Sequence, residues 1–154
     1  MAIIRAARPE DAAALTELAK AAYSVYVERM AGTEPAPMHD DYPALVALGQ
    51  VWVAEHEAAV VGMLVLKLKP DHVQLNNLAV SPARQGTGLG KQLLDFTDAY
   101  ARERGRSEVR LYTNEAMTEN LAYYPRHGFR ETHRGVENGY HRVYFAKDLR
   151  GVRS

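Results

Sequence analysis

The residue types and spacing best able to do chemistry are those of Gln85-Gly86-Thr87-Gly88-Leu89-Gly90-Lys91. Three glycines stand at every second position, directly before a segment with helical periodicity. They follow Val73 to Val80, an apolar run stopped by Ser81-Pro82. A strand, a glycine-rich turn and a helix N-terminus together favour an anion. The glycines let backbone approach closely, the leading N–H groups point outward, and the helix dipole attracts negative charge. A ligand carrying phosphate is the expectation. Register excludes two common ones. A Walker A loop needs a glycine five positions before its Gly-Lys pair and a Ser or Thr just after, where this chain has Gln85 and Gln92. The dinucleotide fingerprint needs its third glycine three after its second, where this chain has Lys91.

The elements that must position this turn follow from pattern. Ala2 to Arg5 can form a first strand, and Arg8-Pro9-Glu10-Asp11 opens a helix, with Pro in the first turn and acids favoured by the dipole. Leu15, Leu18, Ala22, Val25 and Arg29 recur at helical spacing, predicting a helix to about Met30. Ala31 to Asp41 is a loop holding Gly32, Pro35 and Pro37, and a short helix follows over Tyr42 to Leu48. Val51 to Glu55 and Val60 to Leu68 read as strands. The second is nearly continuously apolar, as a strand covered on both faces should be. After the glycine turn, Leu89, Leu93, Phe96 and Tyr100 mark a helix to about Arg104, closed by Gly105. Glu108 to Tyr112 is a fifth strand and Glu119 to His127 a helix ending at Gly128. Phe129 to Arg134 and Tyr140 to Phe145 form a hairpin through Asn138-Gly139. The order predicts an α+β layer architecture.

Composition narrows the classes. The 154 residues are one domain's worth, 1–154, with 47% apolar and 25% charged residues. Lys plus Arg and Asp plus Glu both number 19, so no basic excess advertises nucleic acid. With no cysteine there is no disulfide framework, thiolate metal site or cysteine nucleophile. The six histidines, His39, His56, His72, His127, His133 and His141, show no close pair at ligand spacing, so no metal is expected. No signal-peptide core or membrane-length apolar run stands out, which makes a cytoplasmic protein the expectation.

Gln-x-x-Gly-x-Gly at Gln85 to Gly90, after Leu78-Ala79-Val80, resembles the acetyl-CoA signature of the GNAT-type N-acetyltransferases. A second stretch adds to it. Asn120-Leu-Ala-Tyr-Tyr-Pro-Arg-His-Gly-Phe129 matches that superfamily's Asn, Tyr and closing Gly-Phe at Asn120, Tyr124 and Gly128-Phe129. The resemblance covers about residues 50–147, while 9–48 match in element order as acceptor-site helices. It implies a mixed, mostly antiparallel sheet of about seven strands flanked by about four helices, with strands 4 and 5 splayed at the acetyl-CoA site. It also implies that Gln85, Gly86, Thr87, Gly88, Leu89, Gly90 and Lys91 hold the pyrophosphate. Backbone of Leu78, Ala79 and Val80 would hold pantetheine and thioester, Asn120 would belong to the cofactor site, and Tyr124 would act as general acid beside the sulfur.

Acyl transfer from a thioester to an amine needs a neutral amine, a stabilised oxyanion and a proton for the departing thiolate. A thiol near 8.5 and a phenol near 10 make a tyrosine donor feasible. Tyr123 is the better candidate for plain packing. Where better-known members place a carboxylate or histidine on the fourth strand, this chain has Gln74 and Asn76. Neither accepts a proton at neutral pH, so they read as substrate or water positioners. His72, His133, Glu115 and Glu119 are the other base candidates, with a water chain or an already neutral amine preferred. Tyr26, Arg29, Met38 and Tyr42 are candidate acceptor-wall residues.

The resulting expectation is direct, ternary-complex acetylation of a small-molecule amine, with acetyl-CoA as cosubstrate. The alternatives are a protein or peptide amine acceptor, or a non-catalytic acyl-CoA-binding module. Homodimers are frequent among similar proteins, and the Tyr140 to Phe145 strand is the expected pairing edge.

Overall fold

The computed structural model describes residues 2–150. Residue 1 and residues 151–154, the ends of the span assigned to one domain, lie outside the described residues. In chain order the elements are β1 (Ile3–Ala6), α1 (Ala12–Tyr23), α2 (Tyr42–Ala47), β2 (Val51–His56), β3 (Ala59–Leu68), β4 (Val73–Val80), α3 (Leu89–Glu103), β5 (Glu108–Asn114), α4 (Thr118–Tyr123), β6 (Arg130–Glu137) and β7 (Tyr140–Asp148). Seven strands form one sheet in the order β1-β2-β3-β4-β5-β7-β6. The β1–β2, β2–β3, β5–β7 and β6–β7 pairs are antiparallel. The β4–β5 pair is parallel, with Val73 opposite Val109, Gln74 opposite Arg110 and Leu75 opposite Leu111. A mixed, mostly antiparallel sheet with four α-helices is the architecture expected. The chain groups into two compact units, residues 1–66 with 77–94, and residues 67–76 with 95–154.

In the first unit, the apolar face of α1 buries Leu15, Leu18 and Ala19, and the strands contribute Val53, Met63, Leu64 and Val65. The run Val61 to Leu66 is buried throughout, as its unbroken apolar pattern requires. Gly62 permits a close approach: a Cβ there would lie 3.2 Å from Leu89 Cδ2 and 3.3 Å from the Ala79 carbonyl oxygen. β1 is tied down by Arg5, whose guanidinium donates to both oxygens of Asp11 (2.8 and 3.1 Å) and to Glu55 (3.2 Å). The helix expected to reach Met30 stops at Tyr23. Ser24–Tyr26 is a 3-10 turn, and Ala31 and Gly32 take left-handed backbone. Ser24, Val25, Tyr26 and Val27 are all mediocre helix formers, so nothing local sustains the helix there.

In the second unit, Val109, Leu111, Val143 and Phe145 form the buried face of the strands, with Ala101 from α3. Lys147 Nζ donates to Asp98 Oδ2 at 2.6 Å, a largely buried ion pair. The β6–β7 turn has positive φ at both Asn138 (53°) and Gly139 (81°), the primed turn that Asn-Gly favours. The helix expected over Glu119 to His127 is shorter: α4 ends at Tyr123, and Pro125–His127 is a 3-10 turn before Gly128 at φ 92°. Pro125 lacks the N–H that an α-helix would need at that position. β7, expected to pair across a two-fold axis, is hydrogen-bonded on both edges, to β5 and to β6. The edge strand beside it is β6, which is exposed along its whole length.

Candidate active site

The residues singled out by sequence fall into two groups, one in each unit. In the first unit, β4 ends at Val80 and a 3-10 turn, Pro82–Arg84, leads into the glycine loop and α3. Gly86 and Gly88 have φ of 80° and 88°, and a Cβ at either would meet nothing within 4 Å. Left-handed backbone facing open space is a cradle that only glycine lines without strain. The Thr87 hydroxyl donates to the Arg84 carbonyl and braces the loop. The first helical bond of α3 runs from Gln92 N–H to the Gly88 carbonyl. The amides of Leu89, Gly90 and Lys91 therefore precede it, as leading amides of a helix do. Leu89 is buried and anchors the turn, whereas Gln85, Gly86, Thr87, Gly88 and Lys91 are exposed and Gly90 is half-buried. This donor set fits a pyrophosphate: multiple backbone N–H groups, a helix N-terminus and no side chain in the way.

In the same unit, the C-terminal half of β4 carries, at Asn77 and Leu78, a polar network that the sequence reading did not single out. Asn77 is 3% exposed, and its amide donates to Asp40 Oδ2 (2.8 Å) and to the Tyr42 hydroxyl (3.2 Å). Tyr42 is 0% exposed, and its hydroxyl donates to the Pro37 carbonyl at 2.6 Å. The Tyr23 hydroxyl donates to the Leu78 carbonyl at 2.9 Å. Burial pushes both phenols above the ordinary tyrosine range, with Asp40 adding to the shift in each and the Asn77 hydrogen bond opposing it at Tyr42. Both are therefore neutral donors at physiological pH. Tyr42, an expected acceptor-wall residue, is an interior residue that supports Asp40 through Asn77. Tyr26 and Met38 are half-buried, and the exposed Arg29 guanidinium lies 5.2 Å over the Tyr26 ring. A signal for the network was present in β4. Val73, Leu75, Asn77 and Ala79 share one parity, and an amide among buried apolar positions demands partners.

In the second unit, the side chain of Asn120 donates to Thr113 Oγ1 at 3.0 Å, fastening α4 to β5. Tyr124 follows α4 directly and is 7% exposed. Its ring packs edge-on against Tyr123 and Phe129 (5.5 and 5.6 Å) and tilted against Phe145 (6.1 Å). Tyr123, expected to be the packing residue, is the more open of the two and lies 4.3 Å from the His127 ring. The reversal follows from where α4 ends, since Tyr124 turns inward as the 3-10 segment begins. Gln74 lines a concavity of about 500 Å³ together with His72, Arg110, Tyr112, His133 and Tyr144. The imidazole of His133 stacks on Tyr144 at 4.2 Å, and His72 Nδ1 lies 2.7 Å from Asp71 Oδ1. Of the other base candidates, Glu115 pairs with Arg134 (3.3 Å) and Glu119 accepts from Thr118 (3.2 Å). Asn76 is half-buried. Among the described residues no group of His, Asp or Glu could hold a metal, and no helix is long and apolar enough to cross a membrane.

A family model described as an acetyltransferase (GNAT) domain matches residues 47–131, more than half of the chain, and the chain belongs to that family. N-acetyltransferase family 8 member 2 of Rattus norvegicus is 32% identical over 133 residues, 82% of this chain and 55% of that protein. The chain spans about half the length of the curated relatives it matches. The PaiA N-acetyltransferase of Thermoplasma acidophilum, solved in complex with coenzyme A, has the same fold, with a TM-score of 0.79 at 19% identity over 96% of this chain and 99% of that one. The yncA structure from Salmonella typhimurium, with its cofactor acetyl-CoA, gives a TM-score of 0.69 at 22% identity over 100% and 97%.

Proposed function

We propose that this chain is an acetyl-CoA-dependent N-acetyltransferase that acts on a small-molecule amine by direct attack in a ternary complex. The observation that carries the reading is the glycine loop: Gly86 and Gly88 held left-handed over open space, followed by the leading amides of α3, in a chain of the GNAT family. Acetyl-CoA would supply the activated acetyl thioester. The residues from Gln85 to Lys91 would hold its pyrophosphate, and backbone of Leu78, Ala79 and Val80 its pantetheine arm and thioester carbonyl, where an N–H aimed at the oxyanion stabilises it. Tyr124 would deliver its phenolic proton to the departing thiolate, with its ring fixed by Phe129 and Phe145. Asn120 would hold the α4 end of the cofactor site through Thr113, and Gln74 and Asn76 would position the acceptor or its water.

Thiol release from acetyl-CoA, measured across amines, amino acids and peptides with Tyr124→Phe alongside, tests this. Turnover with a small amine that drops sharply in the variant supports the reading. Acetyl-CoA binding with no turnover on any acceptor would identify a binding module instead, and turnover confined to peptides would move the acceptor to proteins. The homodimer expected from similar proteins would find its available edge at β6, and light scattering decides it.

A further inference from the structure

Asp40 differs from the charged residues around it. Its neighbour Asp41 caps α2, accepting the Ala44 N–H at 3.1 Å. His39 lies 2.9 Å from Glu34. Asp40 is half-buried, and among the described residues no Lys, Arg or His pairs with it. Its hydrogen bond comes from Asn77, through one oxygen. An ionised carboxylate accepts about four hydrogen bonds, so the protein itself uses only part of that capacity. Meanwhile two interior residues are committed to fixing it: Asn77 donates to it, and Tyr42 holds Asn77 while bonded to Pro37. A merely solvated surface carboxylate needs no such support. Asn77 also directly precedes Leu78, whose carbonyl is fixed by Tyr23 and whose backbone is assigned above to the thioester.

We propose that Asp40 is the ammonium-recognition residue of the acceptor site, and that the acceptor is a cationic alkyl or arylalkyl amine bound through an ion pair to its carboxylate. This rests on the acetyltransferase reading and adds to it the charge class of the acceptor. Asp40 gathers the cation from solvent and orients its nitrogen near β4. No proton transfer is assigned to it; the ammonium gives its proton to solvent water, and the freed neutral amine is the nucleophile.

The test uses isosteric ligand pairs that differ in charge: propylamine against O-ethylhydroxylamine, and benzylamine against O-phenylhydroxylamine. The aminooxy partner of each pair is uncharged at neutral pH. Each is titrated by ligand-observed NMR into the CoA-saturated full chain, as wild type, Asp40→Asn and Asp40→Glu. Asparagine keeps an acceptor for the Asn77 amide and removes only the charge. Asp40→Asn is expected to weaken the amines by about ten-fold or more, the scale of one charge-assisted hydrogen bond. It should weaken the aminooxy ligands clearly less, since their neutral –NH2 forms no ion pair with the carboxylate. Asp40→Glu should recover part of the amine affinity, and melting temperatures should be alike. Equal weakening of both members of a pair, no preference for the cation in wild type, or no binding of either would overturn the proposal. Thiol release is scored separately. Charge-dependent amine binding without any acetyl transfer would overturn the acetyltransferase reading and leave Asp40 as a cation site.

Discussion

Gly88 and Gly105 provide a matched pair for separating backbone strain from ligand binding. Both are left-handed, at φ 88° and 72°, and a Cβ at either would meet nothing within 4 Å. Alanine at either site therefore clashes with no neighbour and bears only the left-handed penalty, about 1–2 kcal/mol. For a chain of this size each kcal/mol lowers the melting temperature by about 2–4 °C. Gly105→Ala should show that cost and nothing else, because Gly105 closes the far end of α3. Gly88→Ala bears the same cost and also places a methyl in the space where the pyrophosphate would sit. Suppose it weakens acetyl-CoA about ten-fold. At a ligand concentration of about 100 times the wild-type Kd, wild type and Gly105→Ala gain about 2.7 kcal/mol on binding and Gly88→Ala only about 1.4 kcal/mol. Thermal melts with and without acetyl-CoA read this directly: similar melting temperatures without ligand, and half the ligand-induced rise in Gly88→Ala. Equal ligand-induced rises in the two variants would refute the assignment of the loop to the cofactor.

Tyr124→Phe should lower kcat by a factor of about 100 or more, the scale of a lost general acid, with an unchanged melting temperature because the ring contacts to Phe129 and Phe145 survive. Steady-state kinetics and a melt check it. Asp98→Ala should cost about 3–5 kcal/mol in urea unfolding, because Lys147 is left as a largely buried charge without its partner. Tyr42→Phe should cost about 1–3 kcal/mol by the same measure, since the buried hydroxyl satisfies Pro37 and Asn77 together. For pH, Arg5 hydrogen-bonded to Asp11 holds that carboxyl below its ordinary value, with the Arg8 N–H adding to the effect and burial opposing it. The unfolded chain therefore binds a proton at Asp11 before the folded chain does. The resulting stability is fully present above about pH 4 and is lost as pH falls through the lowered folded value. Asp11→Asn should flatten stability against pH below about 4, and an unchanged slope would sink that account.

Features set by a few adjacent residues were legible in the sequence. Asn138-Gly139 specifies a primed hairpin turn, Gly105 closes α3 and Gly128 ends the 3-10 turn that follows α4, because left-handed backbone is a local property. The unbroken apolar run of β3 and the glycine loop before α3 were legible for the same reason. Helix length was less so. α1 and α4 stop short where weak helix formers or Pro125 remove local support, while apolar spacing alone continues. Interior partners were the least legible. Asn77 meets Asp40 from 37 positions away, and Tyr23 meets Leu78 from 55. No periodicity encodes such pairs.

The two tyrosines after α4 show how a local break governs chemistry. Helical periodicity assigns Tyr123 and Tyr124 to different faces but does not say which face the fold covers. Because the helix yields to a 3-10 turn at Pro125, Tyr124 is the ring buried against Phe129 and Phe145, while Tyr123 meets His127. A proton donor in acyl transfer must be held still, since a small misplacement of a reacting group costs orders of magnitude. Burial of the ring is thus compatible with a catalytic hydroxyl and supplies its rigidity. The same reasoning applies to Asp40: a group fixed by interior partners but left with unspent hydrogen-bonding capacity is positioned for something that the fold itself does not provide.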